Sequence, residues 1–240
     1  MSAHIPSRQL ILDRIRTATE RLPKETGGWA ELPRRYVRHG SLGARARLRL
    51  MGERLREYDA EVVECTPEQL PATIADRLAA CGRHVFAAPE GLPAEWISAG
   101  LAAGFDFKID HALPTAEIEA VQGVVTAATC GVAESGTIVL HHTAAEGRRV
   151  LTLLPDFHLC ILRSSQVVET LPEYFDRCHT APRLATWISG PSATADIEMT
   201  RIKGVHGPRF LAVILVRDEV NPSPEPAQPV QSGLEEHESF

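Results

Sequence analysis

Three short segments carry side chains of the kind that do chemistry, each set among glycines. Gly131-Val-Ala-Glu-Ser-Gly-Thr137 brings a carboxylate, Glu134, and two hydroxyls, Ser135 and Thr137, to one turn. Gly136 lies among them, and glycine lets a backbone turn tightly or approach a ligand closely. A glutamate so placed is a candidate acid, base or nucleophile; a solvated glutamate on a glycine turn is the bland alternative. The spacing is not the G-x-S-x-G of a nucleophile elbow. Ser189-Gly-Pro-Ser-Ala-Thr-Ala-Asp196 follows an apolar run and is expected to lead into a helix. A strand, a small-residue loop and a helix N-terminus form an anion site, to which Ser189, Gly190, Ser192 and Thr194 would contribute donors. Simple N-capping by Ser192 or Thr194 stands beside that reading. Asp196 and Glu198 suit the helix dipole but would repel an anion, and two carboxylates alone do not make a metal site. The third segment, Lys203-Gly-Val-His-Gly-Pro208, places His206 between glycine-bearing turns, where a ligand or acid–base role competes with a structural one.

Other histidines offer less. His141 and His142 end a strand and should point to opposite faces, a poor metal pair. His158 follows a proline turn, Leu153-Leu-Pro-Asp-Phe-His158, and reads as structural. The five cysteines, Cys65, Cys81, Cys130, Cys160 and Cys178, are scattered with no C-x-x-C clip. Neither a disulfide framework nor a local zinc or iron–sulfur motif is encoded, and no metal site is expected.

The elements that must position these segments follow from periodicity. Ile5 to Leu22 reads as a helix, and a second runs from Ser41 through Leu48, Met51 and Leu55. Its apolar stripe is thin among arginines, so it is expected to pack as an arm. From Glu61 short strands and helices alternate: strands at Glu61–Glu64, His84–Ala88, Asp106–Asp110 and Gly123–Ala127. Helices are expected after Thr66, over Ala94–Leu101 and over Glu117–Gln122. Apolar runs at Thr137–His142, Arg149–Leu154, Leu159–Leu162, Ala185–Ile188 and Phe210–Val216 read as buried, central strands. Leu171–Arg177 and Asp196–Ile202 supply helices between them. The fold class is therefore α/β, a mostly parallel sheet with helices on both faces. Ligands of such sheets sit at the carboxyl ends of the strands, so one pocket is expected there from Glu134, Ser135, Ser192, Thr194 and His206.

At 240 residues, 44% hydrophobic and 23% charged, the chain has the balance of a packed globular protein. A net charge of −6 argues against a nucleic-acid binder. Arginines crowd Arg34 to Arg56, a solvated helix face or an interface for an acidic partner. No apolar run is long enough for a membrane span and no signal-peptide core is visible, so the expected location is cytoplasmic.

Read in order, Glu134-Ser-Gly-Thr-Ile-Val-Leu, Leu153-Leu-Pro with His158, Ser189-Gly-Pro-Ser with Thr194-Ala-Asp-Ile-Glu, and Gly204-Val-His-Gly-Pro resemble the lactate-utilisation protein C family, the LUD-domain proteins. The resemblance covers about the last two thirds of the chain ahead of its tail, the N-terminal helices carrying little of it. It implies a fold like that of the sugar-phosphate isomerase, ribose-5-phosphate isomerase and CoA-transferase superfamily. It also implies a part in oxidising L-lactate to pyruvate beside two partner proteins that carry iron–sulfur clusters. This chain would bind no cofactor itself and would be the non-redox subunit, with a small anionic ligand. Catalytic residues are not implied; Glu134 and His206 are the candidates, and a CoA-transferase-like nucleophilic role for Glu134 is an analogy of fold.

The organisation expected is a helical arm over residues 1–58, an α/β domain over 59–218 and a proline-rich acidic tail over 219–240. The tail is expected to be disordered and dispensable for folding. Two other readings stay open: a stand-alone small-molecule enzyme on the isomerase or CoA-transferase scaffold, and a regulatory ligand-binding module. The ligand site in each would draw on Glu134, Ser135, Gly136, Thr137, Ser189, Gly190, Ser192, Thr194, Asp196 and His206.

Overall fold

The computed structural model describes residues 7–20, 32–33, 35–178, 182–194, 202–204 and 207–218, with the side chains of Thr194, Ile202 and Lys203 outside that description. Two compact units divide the chain, Met1–Tyr36 and Val37–Phe240. Helix α1 (Ser7–Thr19) lies in the first unit, and all later elements lie in the second. In chain order these begin α2 (Ala44–Glu57), β1 (Glu61–Cys65), α3 (Leu70–Ala80), β2 (Val85–Pro89), α4 (Ala94–Ala102), β3 (Asp106–Asp110) and α5 (Thr115–Ala120). Strands β4 (Gly123–Ala127), β5 (Cys130–Val132), β6 (Thr137–Leu140), β7 (Phe157–Arg163) and β8 (Val167–Val168) follow. The last are α6 (Leu171–Arg177), β9 (Thr186–Ile188), β10 (Ala193–Thr194), β11 (Ile202–Lys203) and β12 (Phe210–Val216). Among the described residues no helix is long and apolar enough to cross a membrane. The tail beyond residue 218 lies outside them.

Six strands pair in parallel in the order β1-β12-β7-β4-β2-β3. The unbroken apolar runs of β7 and β12 now have their cause, because both faces of the sheet are covered. On one face Leu159 and Ile161 of β7 and Ala212, Ile214 and Val216 of β12 pack with Ile74 and Leu78 of α3 and Trp96 and Ile97 of α4. On the other, Cys160, Leu162, Val213 and Leu215 meet Leu48, Met51 and Leu55 of α2. Ala87 and Val124 face the same way and pack against Ile118 of α5 and Leu151. The alternation along each strand is the period-2 geometry of a pleated backbone.

Helix α2 is therefore part of the core rather than an arm. Met51 and Leu55 are fully buried and Leu48 nearly so. Three such side chains contribute roughly 1.5–3 kcal/mol each, and their spacing of three and four was diluted to the eye by the arginines between them. The helix starts at Gly43, without a side-chain cap, instead of at Ser41.

A second, four-stranded sheet, β8-β5-β6-β9, covers part of the α2 face. Here β5–β6 and β6–β9 are antiparallel, so the strands at Thr137–Leu140 and Thr186–Ile188 are not central members of the parallel sheet as expected. Strand β6 is wholly buried, and after Thr137 it is apolar, Ile138 and Leu140 facing the main core and Val139 facing Tyr174 of α6. Strand β9 is an edge strand with Trp187 42% exposed. The run Arg149–Leu154 forms a 3₁₀ turn over Arg149–Thr152 rather than a strand. Its backbone is satisfied locally, Leu151 N–H donating to Arg148 O and Leu154 N–H to Val150 O. A short apolar run does not by its periodicity distinguish those two outcomes.

Candidate functional site

A cavity of about 220 Å³ opens between the 3₁₀ turn, the amino ends of β7 and β12, and the loop after β9. Its polar lining consists of Arg149 and Thr152 from the turn, His158 from β7, Thr186 from β9, and Ser189 and Ser192 from the loop. The volume is below the roughly 300–1,000 Å³ of pockets that take drug-sized ligands. The arrangement suits a small polar molecule.

The loop is held on three sides. Ser192 N–H donates to Pro208 O at 2.8 Å, and Gly204 N–H donates to Ser192 O at 2.9 Å. Beyond it β10 pairs antiparallel with β11. The chain thus leaves the loop in a short strand, Ala193–Thr194, and the helix expected from Asp196 falls on residues outside those described. Ile202, the expected last residue of that helix, lies in β11; residues 195–201 are outside the described residues. Gly190 makes the remaining contact possible. Its φ is +95°, and a Cβ there would lie 2.7 Å from Tyr58 O, so the loop lies against the end of α2 only because that atom is missing.

The first two motifs meet through hydroxyls. Ser135 Oγ lies 2.8 Å from Thr137 Oγ1, which lies 2.7 Å from Ser189 Oγ. Antiparallel pairing of β6 with β9 sets Thr137 beside Ser189 and so joins the Glu134 turn to the cavity rim. Gly136 closes that turn at φ +61°. Glu134 itself is exposed and lies outside the cavity lining. Thr194 lies in β10, and Asp196 and His206 are outside the described residues, although Gly207 and Pro208 beside His206 line the cavity.

The expected place at the carboxyl ends of the parallel strands is not where these residues gather. The loop at Ser189 follows β9, a strand of the second sheet, so the rule for parallel strands does not govern it. The carboxyl edge has a different cavity of about 480 Å³, where Arg45 and Arg49 of α2 face Glu64, Ser164 and Arg217.

Of the residues that give the cavity its character, Arg149 is not marked by any motif in the sequence, and His158 read there as structural. Arg149 is half-buried, and burial lowers its guanidinium pKa below the ordinary value with no acid opposing the shift. Its Nη1 donates to Thr152 Oγ1 at 3.1 Å, and among the described residues it has no carboxylate partner. The adjacent Arg148 shows the contrast: its Nε and Nη2 donate to both oxygens of Asp110, at 2.8 and 2.6 Å. His158 is fully buried, its pKa pushed down to about 4 by desolvation first and by the charge of Arg149 second. It is a neutral imidazole at physiological pH, 2.8 Å from Thr126 Oγ1 through Nε2. A cation with no counterion among the described residues, facing a small polar cavity beside a neutral ring, is an arrangement that favours an anionic guest.

The family described as the LUD domain matches residues 48–216. Lactate utilization protein C of Deinococcus radiodurans is 39% identical over 167 residues, 68% of this chain and 76% of that protein. Lactate utilization protein C of Bacillus subtilis is 39% identical over 101 residues, 39% of this chain and 42% of that protein. A crystal structure of a DUF162 family protein from Deinococcus radiodurans superposes with a TM-score of 0.62 at 34% identity, covering 73% of this chain and 99% of that one.

Proposed function

This chain belongs to the LUD-domain family, and from that premise we propose that it serves lactate utilisation as the component that binds the small carboxylate. Oxidation of L-lactate to pyruvate is then completed with iron–sulfur partner proteins, this chain holding no cluster. The relatives named for lactate utilisation support the role. The observation that carries the ligand assignment is the half-buried guanidinium of Arg149, which has no carboxylate partner among the described residues, in a small cavity lined by hydroxyls. A carboxylate would supply the charge-assisted hydrogen bonds that the arginine lacks.

The division of labour has support in the cysteines. Burial pushes the Cys130 thiol up to about 11 and the Cys160 thiol up to about 12. Cys65, Cys160 and Cys130 also lie in three separate clusters of the core, whereas the thiolates of one iron–sulfur cluster must converge. The reading as a stand-alone acyl-transfer enzyme draws less support, since its nucleophile, Glu134, lies outside the cavity lining.

The test is genetic and biochemical. In a bacterium deleted for its own lactate-utilisation protein C, the wild-type chain should restore growth on L-lactate, and the Arg149→Met variant should not. Co-purification from that strain should recover proteins containing iron and sulfide. Growth restored equally by Arg149→Met would remove the cavity from the role, and failure of the wild type would remove the role.

A further inference from the structure

The polarity of one hydroxyl in the cavity is set by a histidine outside it. His142 follows β6 and takes a φ of +56°, a left-handed conformation that costs a non-glycine residue energy and is held only where the surroundings demand it. Its ring is fastened at both nitrogens. Nδ1 lies 2.9 Å from Gly147 O, and Nε2 lies 2.8 Å from Thr186 Oγ1. A carbonyl oxygen only accepts, so Nδ1 carries the hydrogen. The neutral imidazole then has a bare Nε2, which accepts. This tautomer is assigned from the hydrogen-bond network. It follows that the Thr186 hydroxyl donates its one hydrogen to His142 and shows the cavity oxygen lone pairs only.

Thr152 is committed in the same sense. Its Oγ1 donates to Arg149 O at 3.2 Å while accepting from Arg149 Nη1. The cavity therefore offers a cation at one place and a hydroxyl acceptor at Thr186, both on the wall of one small space. A carboxylate answers the first. The second is answered by a group that donates a hydrogen. A 2-hydroxy acid has both, whereas a 2-oxo acid presents to Thr186 an oxygen that can only accept.

We propose that this cavity selects the reduced, 2-hydroxy form of a short carboxylic acid over its 2-oxo form, Arg149 taking the carboxylate and Thr186 accepting the hydrogen of the 2-hydroxyl. Thr186 is the specificity-determining residue, and His142 is a positioning residue that acts through it. The inference rests on the reading of the cavity as the carboxylate site and adds direction to it: the chain binds substrate and lets product go. An acceptor facing an acceptor in a half-buried site forfeits a hydrogen bond, so the preference should be at least about tenfold, or about 1.4 kcal/mol.

Isothermal titration of the full chain with L-lactate, pyruvate and propionate tests it. Lactate should bind at least about tenfold tighter than pyruvate, and propionate, with no oxygen at that carbon, should bind more weakly than lactate. Thr186→Val, which keeps the shape, should bring lactate down to propionate and leave pyruvate no weaker. Thr186→Ser, which keeps the hydroxyl, should retain the preference, and Arg149→Met should bind none of the three. Equal affinities for lactate and pyruvate, or a preference that survives Thr186→Val, would overturn the proposal. So would failure of all three acids to bind, even if the wild-type chain restores growth on lactate and its role there stands. Selective lactate binding by a chain that does not restore growth would instead uphold the site and remove the role.

Discussion

Thr126 Oγ1 and His158 Nε2 lie 2.8 Å apart on the neighbouring strands β4 and β7, with both side chains buried. Burial first, and the charge of Arg149 second, hold the histidine neutral in the folded chain, with a pKa of about 4 against 6.5 as its ordinary value. Unfolding returns it to water, where it takes up a proton more readily. Between pH 6.5 and about 4 the unfolded state binds more protons at this site, so stability is full above that window and falls as the pH falls through it. The site contributes about 3 kcal/mol across the window. Urea denaturation at pH 7.5, 6, 5 and 4.5 should show this decline, and His158→Gln should show a shallower one. An equal slope in both proteins would mean that carboxylates alone set the acid sensitivity.

Arg149→Met should separate binding from folding. A half-buried cation with no carboxylate partner among the described residues contributes little to the fold, and replacing it with an apolar chain of similar length removes a desolvation cost. Thermal unfolding of the variant should be unchanged or slightly raised while binding of small carboxylates is lost. A marked drop in Tm would show that Arg149 is structural.

Asp156 ties three segments at the amino edge of the sheet. Arg83 Nη2 donates to its Oδ2 at 2.8 Å, Arg209 Nη2 donates to the same oxygen at 3.0 Å, and Phe210 N–H donates to its backbone O. The two guanidinium groups hold its carboxyl below the usual range. Because Arg209 is largely exposed, solvent screens part of this. Asp156→Asn should cost about 1 kcal/mol at low ionic strength, and the difference should shrink in about 1 M salt, where the Debye length is about 3 Å.

Gly190→Ala should be among the costlier small substitutions in the second unit. It combines a left-handed φ of +95° with a Cβ placed 2.7 Å from Tyr58 O. A loss of about 1–3 kcal/mol should appear in denaturation, and lactate affinity should weaken with it because Ser189 and Ser192 flank the residue. A variant as stable as the wild type would show that the loop re-seats freely.

Much of this architecture was readable from residues whose local pattern and final environment agree. The uninterrupted apolar runs of β7 and β12 imply burial on both faces, and they have it. The hydroxyl-and-glycine loop at Ser189–Ser192 read as an anion site at the carboxyl ends of parallel strands, whereas the cavity it lines lies at the amino ends of β7 and β12. What stayed hidden depends on partners far along the chain. Nothing local to Arg148-Arg149 says that the first meets Asp110 and the second meets no acid among the described residues. His142 and Thr186 are ordinary residues until β6 and β9 bring them together. The Arg149–Leu154 run read as a strand because a few apolar residues fit either period, and only packing against Ile118 and Val124 decides.

Strand β9 is three residues long and bonded to a neighbour on one side only. Adjacent residues of a strand face opposite ways, so Thr186 meets His142 while Trp187 packs on Tyr174 and Phe175. Loss or gain of a single codon between Arg177 and Thr186 could be absorbed by sliding β9 one place along β6, at little cost in backbone pairing. Such a slide would exchange the two side chains, turning an indole toward the hydroxyl's place. Length variation in this connection is thus filtered by parity: changes of two residues can be tolerated where changes of one abolish the site, a constraint visible in insertion libraries even if the fold survives both.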